Sequence, residues 1–276
     1  AMLYKNSMVK NLILSSGDMG DAGCEAIASA LVHNKNLRTL ALGPNNITDI
    51  GATVLSKTLK NHNYSLRHLC IDFNPLGSVG SKIILSAVGD FFCRNYGQLQ
   101  RLTLSACGVD DACASVLGDL LYMNRRLMYV DLSGNKIADV AVKGISTALK
   151  NNSTLIGLDL RGNMIRSEGA LALASCLRNR NENELEEENN AGEYNQTLQM
   201  LKVECNLILD RGALALLDVF RTSDALQIIT ISGNPLGEIT MEKFVALGEE
   251  KQMQKNNNNN GDGNEYENGN EKQLVS

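Results

Sequence analysis

The stretch Leu155–Gly169, LIGLDLRGNMIRSEG, recurs with variations eight times along the chain, and no other feature constrains the fold as tightly. Leu155, Leu158 and Leu160 stand at L-x-x-L-x-L, Asn163 follows, and Ile165 comes two residues later. The other copies open at Val9, Leu37, Leu66, Leu99, Leu127, Leu198 and Leu226, so the steps along the chain are 28, 29, 33, 28, 28, 43 and 28 residues. A period of this length means that each copy is one supersecondary unit that buries its apolar face against its neighbours.

Within each copy the pattern separates a strand from a helix. The second apolar slot reads Leu12, Leu40, Leu69, Leu102, Val130, Leu158, Leu201 and Ile229; the third reads Leu14, Leu42, Ile71, Leu104, Leu132, Leu160, Val203 and Ile231. Their alternation with small or polar residues is that of a half-buried strand. An asparagine slot follows: Asn45, Asn74, Asn135, Asn163, Asn206 and Asn234, with Gly17 and Cys107 as the exceptions. An amide there can bond the backbone groups left open as the strand turns away. Four residues on, Asp21, Asp49, Ser78, Asp111, Asp139, Ser167, Asp210 and Glu238 are read as caps, each at the start of its own helix. Two columns one helical turn apart, from Ile27 and Leu31 to Phe244 and Gly248, give each helix one buried stripe.

A 28-residue unit with a full helix resembles the ribonuclease-inhibitor-like leucine-rich repeats. That class includes ribonuclease inhibitor, the sensor ends of NOD-like receptors, tropomodulin and the Ran GTPase-activating protein. The resemblance implies an α/β solenoid, a horseshoe of about eight strand–helix repeats with a parallel concave sheet and helices outside. It is specific for fold and not for function.

The boundaries follow from the period. Residues 1–8 are read as an N-terminal extension or cloning remnant, too short to cap the first strand, and 9–255 as the repeat domain. Residues 178–197 are an Asn/Glu-rich insertion with six Glu against two Arg, expected to be a mobile loop. Residues 256–276 are a low-complexity tail, expected to be disordered. The net charge of −5 is concentrated in these two segments, so the repeats themselves give no reason to expect nucleic acid as a partner. No apolar run is long enough to span a membrane. The seven cysteines are odd in number and contain no C-x-x-C pair, which points to free thiols in a reducing, cytoplasmic setting. A monomer without cofactor or metal is expected.

Chemistry is sparse. Gly17–Gly23, GDMGDAG, follows a strand and precedes a helix, but its spacing is wrong for a dinucleotide-binding loop. His68, Cys70 and Asp72 share one strand face and could serve a metal or a nucleophile; a plain surface is the stronger reading. The informative surface is the concave ladder between the buried leucines. Its first two strands are small and neutral, whereas the middle ones bring together Arg101, Tyr129, Asp131, Asp159, Arg161, Lys202 and Glu204. All seven are expected to face solvent, with Tyr129 and Arg161 as anchors for a protein partner.

The expected function is a non-enzymatic module that presents this concave face to a protein. One alternative is a small-GTPase-activating regulator resembling the Ran GTPase-activating protein. That relative places an arginine on a rim loop near its N-terminal end, whereas here the candidates Arg166 and Arg211 come late. Another is a cytoskeletal or ciliary structural component resembling tropomodulin repeats.

Overall fold

In the computed structural model, which describes residues 2–61, 65–93, 98–178, 194–247 and 273–275, strands and helices alternate along the chain. Eight three-residue strands come from the eight repeats: β1 (Asn11–Ile13), β2 (Thr39–Ala41), β3 (His68–Cys70), β4 (Arg101–Thr103), β5 (Tyr129–Asp131), β6 (Gly157–Asp159), β7 (Met200–Lys202) and β8 (Ile228–Thr230). A short α1 (Met2–Lys5) precedes them. The intervening helices are α2 (Gly20–His33), α3 (Asp49–Asn61), α4 (Gly77–Cys93), α5 (Ala114–Met123), α6 (Asp139–Leu149), α7 (Ser167–Leu177) and α8 (Asp210–Thr222), with α9 over the described residues 238–247.

All strands are parallel and adjacent in sequence order, so the sheet grows by one strand per repeat. The second apolar slot sets the register, with Val130 opposite Leu158 and Leu158 opposite Leu201. From β2 to β8 both apolar strand slots are buried, and so are the helix stripes facing them, from Leu31 to Phe220 and Phe244. Leu12, Leu14 and Ile27 in the first repeat are only partly buried. Gly248 lies outside the described residues.

The asparagine slot is a ladder of bonds between repeats. Asn163 donates from Nδ2 to the carbonyls of Leu132 and Leu160, and its Oδ1 accepts from the N–H of Ile137 in the repeat before. Asn45, Asn74, Asn135, Asn206 and Asn234 repeat this pattern. Cys107 reproduces only the donor half, with Sγ 3.3 Å from the Ile71 carbonyl.

The capping column differs from expectation. Asp21, Asp139 and Asp210 do not cap their own helices; α2, α6 and α8 begin without a side-chain cap from their own N-cap residues. Each carboxylate reaches forward instead. Asp21 accepts from the N–H groups of Thr48 and Gly51, Asp111 from Ala138 and Ala141, Asp139 from Arg166 and Gly169, and Asp210 from Gly237. The reason is geometric: the column residue is already helical, so its side chain points toward the next helix start. A missing Cβ opens the way at Gly169, where one would stand 2.6 Å from Asp139 Oδ1.

Two terminal segments also depart from expectation. Residues 2–8 do pack on the first repeat. Tyr4 packs on His33 with ring centroids 4.4 Å apart, and Asn34 Nδ2 donates to the carbonyls of Leu3 and Asn6. In the segment read as a disordered tail, Gln273–Val275 form β9, parallel to β8 with Leu274 opposite Ile229. For those three residues disorder is corrected, since an unpaired strand edge offers a row of hydrogen-bonding groups. Residues 248–272, and 179–193 of the acidic insertion, lie outside the described residues.

Candidate interaction surface

The register of β4–β7 brings together the residues singled out in the sequence, with Arg161 and Glu204 just past the ends of β6 and β7. Arg101 stands opposite Tyr129, Asp131 opposite Asp159, and Asp159 opposite Lys202. Arg101 Cζ lies 5.0 Å from the centre of the Tyr129 ring, a cation–π arrangement. The ring leans over Gly157: a Cβ there would stand 2.6 Å from Tyr129 Cδ1 and 2.9 Å from Met200 Cε. The missing side chain therefore leaves the space that the aromatic ring occupies.

The charges sort themselves differently from the alternation. Asp159 is buried rather than solvent-facing, with only 8% of its surface exposed. Arg161, two residues along the same chain, covers it. Nε lies 2.9 Å from both carboxylate oxygens and Nη2 lies 2.7 Å from Oδ2. Lys202 Nζ adds a longer approach of 4.0 Å. The hydrogen bonds that Arg161 donates to Asp159, set against some desolvation, raise the Arg161 pKa further and keep it charged. Asp131 is instead engaged by the N–H and hydroxyl of Ser133. Glu204 has one carboxylate oxygen, Oε2, that is buried and unpartnered.

The trio on β3 is tied up structurally. Cys70 Sγ lies 3.1 Å from Asp72 Oδ2, and Asp72 also accepts from the Thr103 hydroxyl and the Ser105 N–H. Burial pushes the Cys70 thiol up, which keeps it protonated and a poor nucleophile. His68 Nδ1 is 3.4 Å from the Thr39 hydroxyl. Among the described residues no cluster of three metal-ligating side chains occurs, and no helix is long and apolar enough to cross a membrane. On the rim, Arg211 lies 3.3 Å from Glu168 Oε1 in an exposed pair.

One set of structural residues escaped the sequence reading. Asn34, Asn124, Asn152 and Asn195 form a second buried column at the helix-to-strand turns. Each Oδ1 accepts from the N–H two and three residues on, as Asn152 does from Thr154 and Leu155. Asn152 Nδ2 also donates to the Leu121 and Asn124 carbonyls of the preceding repeat. The signal was present as N-x-x-L, since each asparagine stands three residues before an opening leucine. Asn6 begins the column by accepting from the N–H of Met8 and Val9.

Parallel strands stacked one per repeat, with asparagine ladders at the turns, define a leucine-rich repeat solenoid. A family model described as a leucine-rich repeat matches residues 5–28, 33–56, 124–146 and 151–174. The chain is 32% identical over 142 residues to NACHT, LRR and PYD domains-containing protein 14 of Homo sapiens, covering 51% of this chain and 12% of that protein. It is 29% identical over 148 residues to ribonuclease inhibitor of Sus scrofa, covering 53% of this chain and 31% of that protein. A solved structure of the leiomodin-1 actin-binding site 2 aligns with a TM-score of 0.42 and 18% identity over 64% of this chain and 93% of that one. The chain is a leucine-rich repeat protein by fold and matched repeats, and it is similar to the ribonuclease-inhibitor-like class of such repeats. It spans less than a third of the curated relatives it matches.

Proposed function

We propose that the chain is a non-enzymatic interaction module and that the solvent face of β4–β7 binds a protein partner. The observation that carries this is the seated Tyr129 ring. Arg101 above it and Gly157 beneath hold a large amphipathic contact surface in place before any partner arrives. Tyrosine and arginine in such settings are frequent energetic anchors. Arg161 is likewise pre-positioned by Asp159, and Asp131, Lys202 and Glu204 complete a patch of mixed charge. The likeness to ribonuclease inhibitor supports a binding role, since that relative is named for inhibiting a ribonuclease. The protonated state favoured for Cys70 supports binding over nucleophilic chemistry on this face. The same reading takes the chain as a monomer in a reducing compartment, with its described cysteines as free thiols.

A Tyr129→Ala/Arg161→Ala double variant tests this. It should melt at the wild-type temperature and lose a partner captured by cross-linking to the wild-type chain. Wild-type affinity of the double variant for that partner would overturn the reading.

A further inference from the structure

The turns that follow β6 and β7 hold three apolar side chains in solvent: Met164 is 49% exposed, Leu207 45% and Leu209 56%. Backbone bonds place these turns side by side. The Leu207 N–H donates to the Ile165 carbonyl at 2.9 Å, and the Leu209 N–H to Ser167 Oγ at 3.2 Å. Met164 and Leu207 occupy the same position in adjacent repeats, where the two preceding repeats hold Gly108 and Lys136. The apolar patch is therefore a local feature and not a property of every repeat.

Glu204 stands at the boundary between this rim and the charged sheet face. Its carbonyl accepts from the Gly162 N–H at 2.9 Å, which ties it to the turn carrying Met164. Its Oε2 is buried and has no hydrogen-bond donor. The neighbouring cations bond to Asp159 instead: Arg161 pairs with it and Lys202 approaches the same carboxylate, so Glu204 feels the Arg161 charge without receiving a hydrogen bond at Oε2. A buried carboxylate oxygen without a donor is an unfavourable state that an incoming donor relieves.

We propose that this edge of the sixth and seventh repeats recognises a basic–apolar segment of a protein partner. A lysine or arginine of that segment pairs with the Glu204 carboxylate, which turns its unpartnered Oε2 out to meet the donor, and apolar side chains beside it cover Met164, Leu207 and Leu209. The sign of the charge follows from the unpartnered acceptor, and the apolar flank from the exposed trio. This rests on the sheet face being an interaction surface and extends that surface over one rim.

Selection from a random peptide library displayed on phage, against the full chain, tests the chemistry without presupposing a partner. Enriched peptides should share a basic residue flanked by apolar ones. Their synthetic forms should bind Glu204→Gln and Leu207→Ser at least tenfold more weakly than wild type, with melting midpoints unchanged. Should Leu207→Ser lower the midpoint, Met164→Ser carries the same test. Enrichment of acidic peptides, no enrichment, or equal affinity for these variants would overturn the proposal. Tyr129→Ala separates the two readings. Peptides that need Tyr129 but ignore Glu204 and Leu207 keep the sheet face and sink the rim. Peptides that need Glu204 and Leu207 but ignore Tyr129 do the reverse.

Discussion

Asp139 Oδ1 accepts the backbone N–H of Gly169 at 2.9 Å, across 30 residues of chain. Asp139 opens α6, yet the helix it caps is α7. Removing such a cap typically costs about 1 kcal/mol. Asp139→Ala should therefore lower stability by about that amount, with faster amide exchange at Arg166 and Gly169. Loosening of α6 instead of α7 would contradict the forward cap.

Asn163 should matter more. It is buried and pairs with backbone groups of Leu132, Leu160 and Ile137, none of which can reach water. Each buried group left unpaired costs about 1–3 kcal/mol. Urea unfolding of Asn163→Ala should show a loss of about 3 kcal/mol or more. Cys107→Ala, which removes only weak S–H donors, should lose clearly less.

The residue before the asparagine slot takes a left-handed conformation in most repeats. Gly134, Gly162 and Gly233 do so freely, while Ser16, Phe73, Ala106 and Cys205 do so against steric preference. That preference is about 1–2 kcal/mol for residues bearing a Cβ. Ala106→Gly should stabilise the fold, and Gly162→Ala, whose new methyl has room, should destabilise it. The pair is expected to shift the melting midpoint in opposite directions; a shift of the same sign in both would refute the strain.

Acid should release the first forward cap. Burial pushes the Asp21 carboxyl up, but the hydrogen bonds from the Thr48 backbone, the Thr48 hydroxyl and the Gly51 N–H outweigh it, so its pKa is lowered. A lowered folded-state pKa adds stability that is present above the unfolded value, about 4, and is lost as pH falls through the folded value. Asp21→Asn should therefore melt below wild type at neutral pH. The gap should close as pH drops below about 4.

Thiol labelling should divide the cysteines by burial. Cys24, Cys107 and Cys176 are buried and pushed up to about 12, mainly by desolvation. Cys205 is exposed. Site-resolved mass spectrometry after alkylation of the native chain should find Cys205 modified, with those three protected until unfolding. Early modification of Cys107 would show that the third and fourth repeats open readily.

The repeating parts were legible in the sequence because a single period fixes many contacts at once. The spacing of Leu158 from Val130 and Leu201 is enough to set three strands in register. What lies between repeats was harder. Asp139 looks like a local cap because a linear motif does not say which helix start is nearest in space. The burial of Asp159 was likewise hidden, since alternation assigns a face but cannot see Arg161 folding back over it. Asn152 and its column were visible at fixed spacing, and only their partner carbonyls required the fold. The seating of Tyr129 depended on a glycine one strand away.

The two ladders run in opposite senses along the solenoid. An asparagine such as Asn163 completes the turn behind it, whereas an aspartate such as Asp139 completes the helix start ahead of it. A block of one period that carries both residues therefore brings with it what each neighbour requires of these two ladders. Such a block can be copied or deleted in the gene without rewriting the residues on either side. Where two side chains point thus decides which repeats can be exchanged without leaving a backbone group unpaired.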